Sequence, residues 1–197
     1  ADKEVIFEAD FESFLSEKWV KSGTVEPFNR IEAFEGRLEF EGSNGNEAFG
    51  VYLDKKFDFA EAPLTFSMDI TRNASNDWSE ICVWFVHQWL ADGDAWTEGD
   101  FIRVASKSHT GKLVVQTNDP EKPGVGKVLG EGPGFEMGKT YHLDMTLNSD
   151  NIEVKVDDEV VFSGAHNLNF SDGYLYIHDF NSLEGDIDYI ENLKVLQ

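Results

Sequence analysis

Asn76-Asp-Trp-Ser-Glu-Ile-Cys-Val-Trp-Phe-Val-His-Gln-Trp89 decides the fold class. The stretch is too apolar for a loop, and its residues sort by period two rather than 3.6. Ile81, Val83, Phe85 and His87 fall on one face, while Glu80, Cys82, Trp84, Val86 and Gln88 fall on the other. A strand over Glu80 to Gln88 with two unlike faces suits a sandwich, where one face packs on a second sheet and the other meets solvent. The face with Glu80, Trp84 and Gln88 is the open one.

The same alternation continues outward. Strands are expected over Val5 to Phe11, Arg37 to Glu41, Phe49 to Phe57, Leu64 to Thr71, Phe101 to Lys107, Lys112 to Thr117, Thr140 to Leu147, Ile152 to Val156, Val160 to Ser163, Gly173 to His178 and Asp186 to Leu196. With Glu80 to Gln88 these make about twelve short segments bounded by Gly, Asn and Asp, which predicts an all-β, two-sheet antiparallel jelly-roll sandwich. Asp157-Asp-Glu159 joins two of them as a tight hairpin. Trp89 to Asp100 and the Pro/Gly-rich Asn118 to Phe135 lack alternation and read as long binding or lid loops.

A chain of 197 residues fits one domain, taken as 1–197. Its 16 Lys and Arg against 38 Asp and Glu give a net charge of −22. Such a surface repels phosphate backbones and anionic headgroups, which argues against nucleic-acid and membrane partners. A hydrophobic content of 41%, with 13% aromatic, separates the chain from acidic disordered proteins. Cys82 has no partner for a disulfide and reads as a buried, inert thiol. No stretch approaches the ~20 apolar residues that span a bilayer. The start at Ala1-Asp2-Lys3 resembles a mature secreted protein, so a secreted or periplasmic location is expected.

Parity carries functional residues onto the open face. Arg103 and Lys107 oppose Ile102 and Val104; Gln116 and Asn118 oppose Leu113 and Val115; Tyr176 and His178 oppose Leu175 and Ile177. With Trp78, Trp84, Glu80 and Gln88 they make a patch of aromatic and planar polar groups. Saccharides need such a set, because aromatic faces stack on pyranose C–H groups while polar side chains bond the hydroxyls. Trp78, Trp84, Gln88, Lys107, Gln116 and Asn118 are therefore the candidate substrate-binding residues, for an oligo- or polysaccharide. For catalysis, Glu80 offers one carboxyl, and a lyase could use Arg103 to neutralise a uronate with His178 or Tyr176 taking the α-proton. Three classes stay open: a glycan-binding sandwich, a polysaccharide lyase or glycoside hydrolase in the same groove, and a non-catalytic interaction module.

No cofactor is required, but a structural calcium site is possible. If the first and last strands pair, Glu8, Asp10, Asp186 and Asp188 could supply the oxygen ligands that Ca²⁺ prefers. Asp92-Gly-Asp94-Ala-Trp96-Thr-Glu98-Gly-Asp100 begins like an EF-hand loop, but lacks an oxygen ligand at its fifth position and Gly at its sixth. His87, His109, His142 and His166 have no metal-site spacing. Asn73-Ala-Ser75 and Asn169-Phe-Ser171 match the triplet that accepts glycans in a eukaryotic secretory protein, but so common a triplet carries little weight.

Ile6-Phe-Glu-Ala-Asp-Phe11, Glu35-Gly-Arg-Leu-Glu39, the Asp157-Asp158 hairpin and Asp188-Tyr-Ile-Glu-Asn-Leu-Lys-Val195 together resemble the concanavalin A-like lectin/glucanase superfamily. Ser79-Glu-Ile-Cys-Val-Trp-Phe85, Glu98-Gly-Asp-Phe101 and Val115-Gln-Thr-Asn118 leading to Val128-Leu-Gly-Glu-Gly-Pro-Gly134 resemble an uncharacterised bacterial galectin-like family that accompanies rhamnogalacturonan and other polysaccharide breakdown. The resemblance implies two curved sheets, a concave face open to carbohydrate and a polysaccharide-processing setting. It supplies no catalytic set. Asp186-Ile-Asp188-Tyr-Ile-Glu191 resembles the E-x-D-x-x-E strand of laminarinase-like hydrolases but departs at its first position.

The charge also bears on substrate. An anionic polysaccharide could bind well only if Arg103, Lys107 and His178 focused positive potential in the cleft, or a cation bridged the charges. Neutral glycans need no such device.

Overall fold

The computed structural model describes residues 2–23, 29–43, 48–90, 94–180 and 183–197. Within them the elements run β1 (Val5–Glu8), β2 (Trp19–Gly23), β3 (Arg30–Phe34), β4 (Arg37–Glu41), β5 (Ala48–Leu53), β6 (Phe57–Asp58), β7 (Leu64–Thr71), β8 (Glu80–Val86), α1 (Ala95–Glu98), β9 (Phe101–Lys107), β10 (Lys112–Asn118), β11 (Gly126–Pro133), β12 (Thr140–Leu147), β13 (Asn151–Val156), β14 (Glu159–Ala165), β15 (Asp172–Phe180) and β16 (Ile187–Leu196). They build two antiparallel sheets. One has the order β14-β13-β12-β7-β16-β4-β3 with β1 also on β16; the other has the order β11-β10-β9-β8-β15-β5-β2 with β6 also on β15.

Alternation within each strand divides it between core and outer face. Phe66, Met68 and Ile70 of β7, with Leu143 and Met145 of β12, meet Ile81, Val83 and Phe85 of β8, Ile102 and Val104 of β9, and Leu175 and Ile177 of β15. The Phe66 and Phe85 rings join the sheets at 5.7 Å between centroids. Every second residue of β8, β9 and β15 is thereby committed to the core, which forces Glu80, Trp84, Arg103, Lys107, Tyr176 and His178 to the opposite face. The β13–β14 hairpin turns through Asp157 and Asp158, both with left-handed backbone (φ 51 and 67). That is the pair of positive φ values a two-residue type I′ turn requires.

Several boundaries differ from the sequence expectation, each for a local reason. The first strand stops at Glu8 rather than Phe11, and Phe11 itself adopts φ 51. The strand from Glu80 ends at Val86 rather than Gln88. One further in-register bond follows, from the His87 amide to the Asp100 carbonyl, before the chain leaves the sheet. The expected Phe49 to Phe57 strand divides into β5 and β6. The largest difference is β11, which occupies part of the expected Asn118 to Phe135 loop. Its glycines look like turn residues but are packing residues: the Trp96 ring lies where a Cβ on Gly126 would project, and the Phe162 ring does the same at Gly130. Asp92 of the acidic loop lies outside the described residues; Asp94 caps α1, its Oδ1 accepting from the Trp96 amide at 3.0 Å.

Candidate functional site

The outer face of the second sheet is not bare. Tyr52, Cys82, Trp84, Val86, Ala95, Phe101, Ala105 and Tyr176 form a second buried cluster on it, with Trp89, Trp96 and Tyr174 packed around. Between this cluster and the sheet end near Trp78 opens a cavity of about 650 Å³, bordered by Trp78, Glu80, Trp84, Trp96, Lys107 and Tyr176 among others. Its volume suits a small-molecule or oligosaccharide site.

Strand register brings the polar centre together. Glu80 of β8 pairs with Lys107 of β9, and Trp84 pairs with Arg103; Arg103 in turn pairs with Gln116 of β10. The Arg103 Nε and Nη2 both donate to Gln116 Oε1, at 3.0 and 2.8 Å. Its Nη1 faces Glu80 Oε2 at 3.5 Å and the Cys82 sulfur at 3.6 Å. Trp84 covers one side of the guanidinium at 4.9 Å, and the Trp96 ring also lies within cation–π range at 4.3 Å. Only 4% of Arg103 is exposed. Trp96 is itself fixed, donating from Nε1 to the Gly124 carbonyl at 2.8 Å.

The Glu80 carboxylate is held more loosely. Lys107 Nζ sits 3.5 Å from Oε1, Arg103 Nη1 3.5 Å from Oε2, and the Cys82 thiol 3.8 Å from Oε2. None of these is a short charge-assisted bond of the 2.7–2.9 Å kind, so its lone pairs remain available to a ligand. Just beyond this pair in the strand direction, the Trp78 and His109 rings stack at 4.2 Å and 19°. Trp78 is 59% exposed.

Tyr176 and His178 form the floor. Tyr176 stacks on Tyr52 at 4.1 Å and 9°, and burial raises its phenol well above 10. Burial, with the Asp94 charge nearby, also pushes the Tyr52 phenol up to about 12. His178 stands edge-on to Trp84 at 5.6 Å, and its Nδ1 is buried without a hydrogen-bond partner. Burial beside Arg103 lowers its pKa to about 3, so the ring is neutral at pH 7. Gly50, opposite His178 on β5, lets the Tyr176 ring pass; a Cβ there would overlap the ring and the Ile177 carbonyl.

The expected site residues therefore separate by role. Trp78, Glu80, Trp84, Lys107, Arg103, Tyr176 and His178 border one cavity. Trp84 and Tyr176, at 2% and 5% exposure, are packed floor rather than an open platform. Gln116 anchors Arg103 from a buried position. Asn118 clamps a neighbouring loop, accepting from the Phe101 amide and donating to Asp100 Oδ1. Gln88 lies past the end of β8, exposed. Tyr52, Trp96 and His109 also join the site; Trp96 lies in the Trp89 to Asp100 segment expected to be a binding loop, whereas nothing in the patterning around Tyr52 and His109 pointed to them.

The four proposed calcium ligands do not converge. β1 and β16 do pair, but the register sets Glu8 opposite Lys194, whose Nζ lies 3.7 Å from its carboxylate. Asp10 Oδ1 accepts from the Glu12 amide at 3.4 Å. Asp186 Oδ2 accepts from the amide and hydroxyl of Ser75, and Asp188 Oδ1 from the amides of Asn73 and Ala74. Among the described residues no group of three or more His, Cys, Asp and Glu side chains gathers as for a metal ion. No helix among them is long and apolar enough to cross a membrane.

The fold defined by these sheets is a galectin-like β-sandwich. No protein-family model matches the chain, and no curated protein sequence matches it. Among solved structures it is similar to a Bacillus subtilis protein of unknown function with a galectin-like fold, at TM-score 0.75 and 7% identity over 100% of this chain and 98% of that one. It is also similar to the carbohydrate-binding module CBM66 from Bacillus subtilis, at TM-score 0.67 and 16% identity over 93% and 99%. A third is the exoplasmic/lumenal domain of VIP36 in its Ca²⁺/Man3GlcNAc-bound form, at TM-score 0.68 and 11% identity over 96% and 90%. At these identities the likeness establishes the fold.

Proposed function

We propose that this protein binds a saccharide in the cavity on the outer face of the second sheet. The observation that carries the reading is the exposed Trp78 ring, backed by His109, beside the loosely held Glu80 and Lys107 pair. A sugar ring stacks on Trp78 while its hydroxyls donate to Glu80 and accept from Lys107. Two structurally similar proteins support the reading: CBM66 is a carbohydrate-binding module, and the VIP36 domain is in a Man3GlcNAc-bound form. Arg103, His178 and Tyr176, the groups a lyase would need, are packed into the floor, which favours binding over a lyase reaction.

A glycan array followed by calorimetry on the best ligand tests this. Trp78→Ala is expected to weaken binding at least tenfold while leaving the melting temperature nearly unchanged, because the ring is mostly exposed. Trp84→Ala is expected to cost about 3–5 kcal/mol of stability, as for a buried aromatic truncated to Ala. Binding that survives Trp78→Ala intact would overturn the placement.

A further inference from the structure

The cavity lies on a protein of net charge −22, and three of its border residues, Arg103, Lys107 and His178, are the groups that could make it attractive to an acidic glycan. Two of the three are spent or silent inside the fold, and the third is offset by a neighbouring carboxylate. The Arg103 fork is taken up by Gln116, its remaining nitrogen faces Glu80 and Cys82, and indoles lie against the guanidinium. An incoming carboxylate or sulfate would have to break that fork to reach it. Lys107 is balanced by Glu80 at 3.5 Å. His178 is neutral at pH 7. Among the described residues bordering the cavity, the Arg103 and Lys107 charges are matched by Glu80 and Asp94, and the His109 imidazole is stacked on Trp78.

What remains accessible is the Glu80 and Lys107 pair, whose charges offset one another. The Glu80 oxygens have partners only at 3.5–3.8 Å, so they can take short hydrogen bonds from hydroxyl donors. A ligand carboxylate in the same place would meet Glu80 with like charge and have no donor to offer it.

Resting on the saccharide reading above, we propose that the pocket selects uncharged glycans, reading a hydroxyl pair through Glu80, and discriminates against uronates, sulfated sugars and sialylated chains. This separates the protein from a role in holding de-esterified pectic acids, which its sequence resemblance would allow. Arg103 is a positioning residue for Glu80 and makes no contact with ligand.

An array printed with neutral oligosaccharides beside uronate-, sulfate- and sialate-bearing ones tests the selection on the unmodified protein. The neutral glycan bound most tightly is then compared with its own derivative oxidised at the primary hydroxyl to a carboxylate. Binding is expected only among neutral glycans, at least tenfold weaker for the oxidised derivative, and at least tenfold weaker for Glu80→Gln with the neutral one. Acidic glycans bound as tightly as neutral ones, or an oxidised derivative that binds equally well, would overturn the charge selection and leave the saccharide reading standing. Unchanged neutral binding by Glu80→Gln would overturn the role of Glu80. An array with no binding at all would overturn the saccharide reading and the selection with it.

Discussion

Asp179 of β15 and Asp188 of β16, both completely buried, sit close enough for each to shift the other's ionisation, and Asp179 Oδ1 and Oδ2 and Asp188 Oδ2 have no other hydrogen-bond partner. Two adjacent buried carboxylates cannot both stay charged. Burial, then the neighbouring Asp188 charge, pushes Asp179 well above its ordinary 3.8. Asp188 is raised by burial but pulled back by the amides of Asn73 and Ala74. Asp179 therefore holds the proton that the pair shares.

A carboxyl raised in the folded state contributes stability that is fully present below its unfolded value, near 3.8, and is lost as pH rises through the folded value. His142, raised by Asp69 and Asp144 against the effect of burial, adds a loss of the same sign above 6.5. Asp179→Asn supplies a permanent donor to Asp188. Denaturant unfolding between pH 5 and 9 is expected to show the wild type losing stability with rising pH and the variant losing less. Equal slopes would show that the pair binds no proton.

His178 acts in the opposite direction. A base whose pKa falls from 6.5 to about 3 on folding gives stability present above 6.5 and lost as pH falls toward 3. At about 1.4 kcal/mol per pH unit the full loss is at most roughly 5 kcal/mol. His178→Phe, which cannot titrate and removes the unpartnered Nδ1, is expected to flatten the decline between pH 6.5 and 4. A decline as steep as that of the wild type would assign acid lability elsewhere.

The Arg103 and Gln116 fork makes lysine a poor replacement. Arg103→Lys keeps the charge but loses the two-pronged bond and the indole contacts. With hydrogen bonds to charged groups contributing about 1.5–3 kcal/mol each, a loss of about 3 kcal/mol is expected. That is roughly a 6–12 °C fall in Tm for a domain of this size. A melting temperature within a degree of the wild type would show that the fork is not what holds this face.

Gly50→Ala tests the floor through the backbone. The new methyl has to displace the Tyr176 ring and the Ile177 carbonyl, and overpacking of this kind costs about 1–3 kcal/mol. Near-UV circular dichroism should change with the Tyr176 and Tyr52 stack, alongside a lower Tm. An unchanged spectrum would mean that β5 yields without disturbing the site.

The outer face was legible because side-chain alternation is a local property. Once Ile81, Val83 and Phe85 belong to the core, Glu80 and Trp84 have one place to go, and the same holds for Arg103 against Val104 and His178 against Ile177. What lies on top of that face is a non-local property. Trp96 reaches Trp84 from α1 and Tyr52 reaches Tyr176 from β5, so Trp84 and Tyr176 read as an open platform when they are covered. Register was equally hidden: pairing of β1 with β16 could be anticipated, but Glu8 opposite Lys194 could not. β11 escaped notice because Gly126 and Gly130 serve the rings of Trp96 and Phe162 rather than a turn.

The packing of Phe162 on Gly130 has an effect beyond local fit. β14 and β11 are terminal strands of their sheets, and this contact, with Val161 over Gly132, sets the two sheet borders against each other along one flank. The other terminal strands, β3 and β2, bear Arg30, Glu32 and Lys21, the charged residues that deter a second chain from adding a strand. Edge-to-edge polymerisation, the standing hazard of a strand-rich chain, thus meets a mutually shielded border on one side and a charged one on the other.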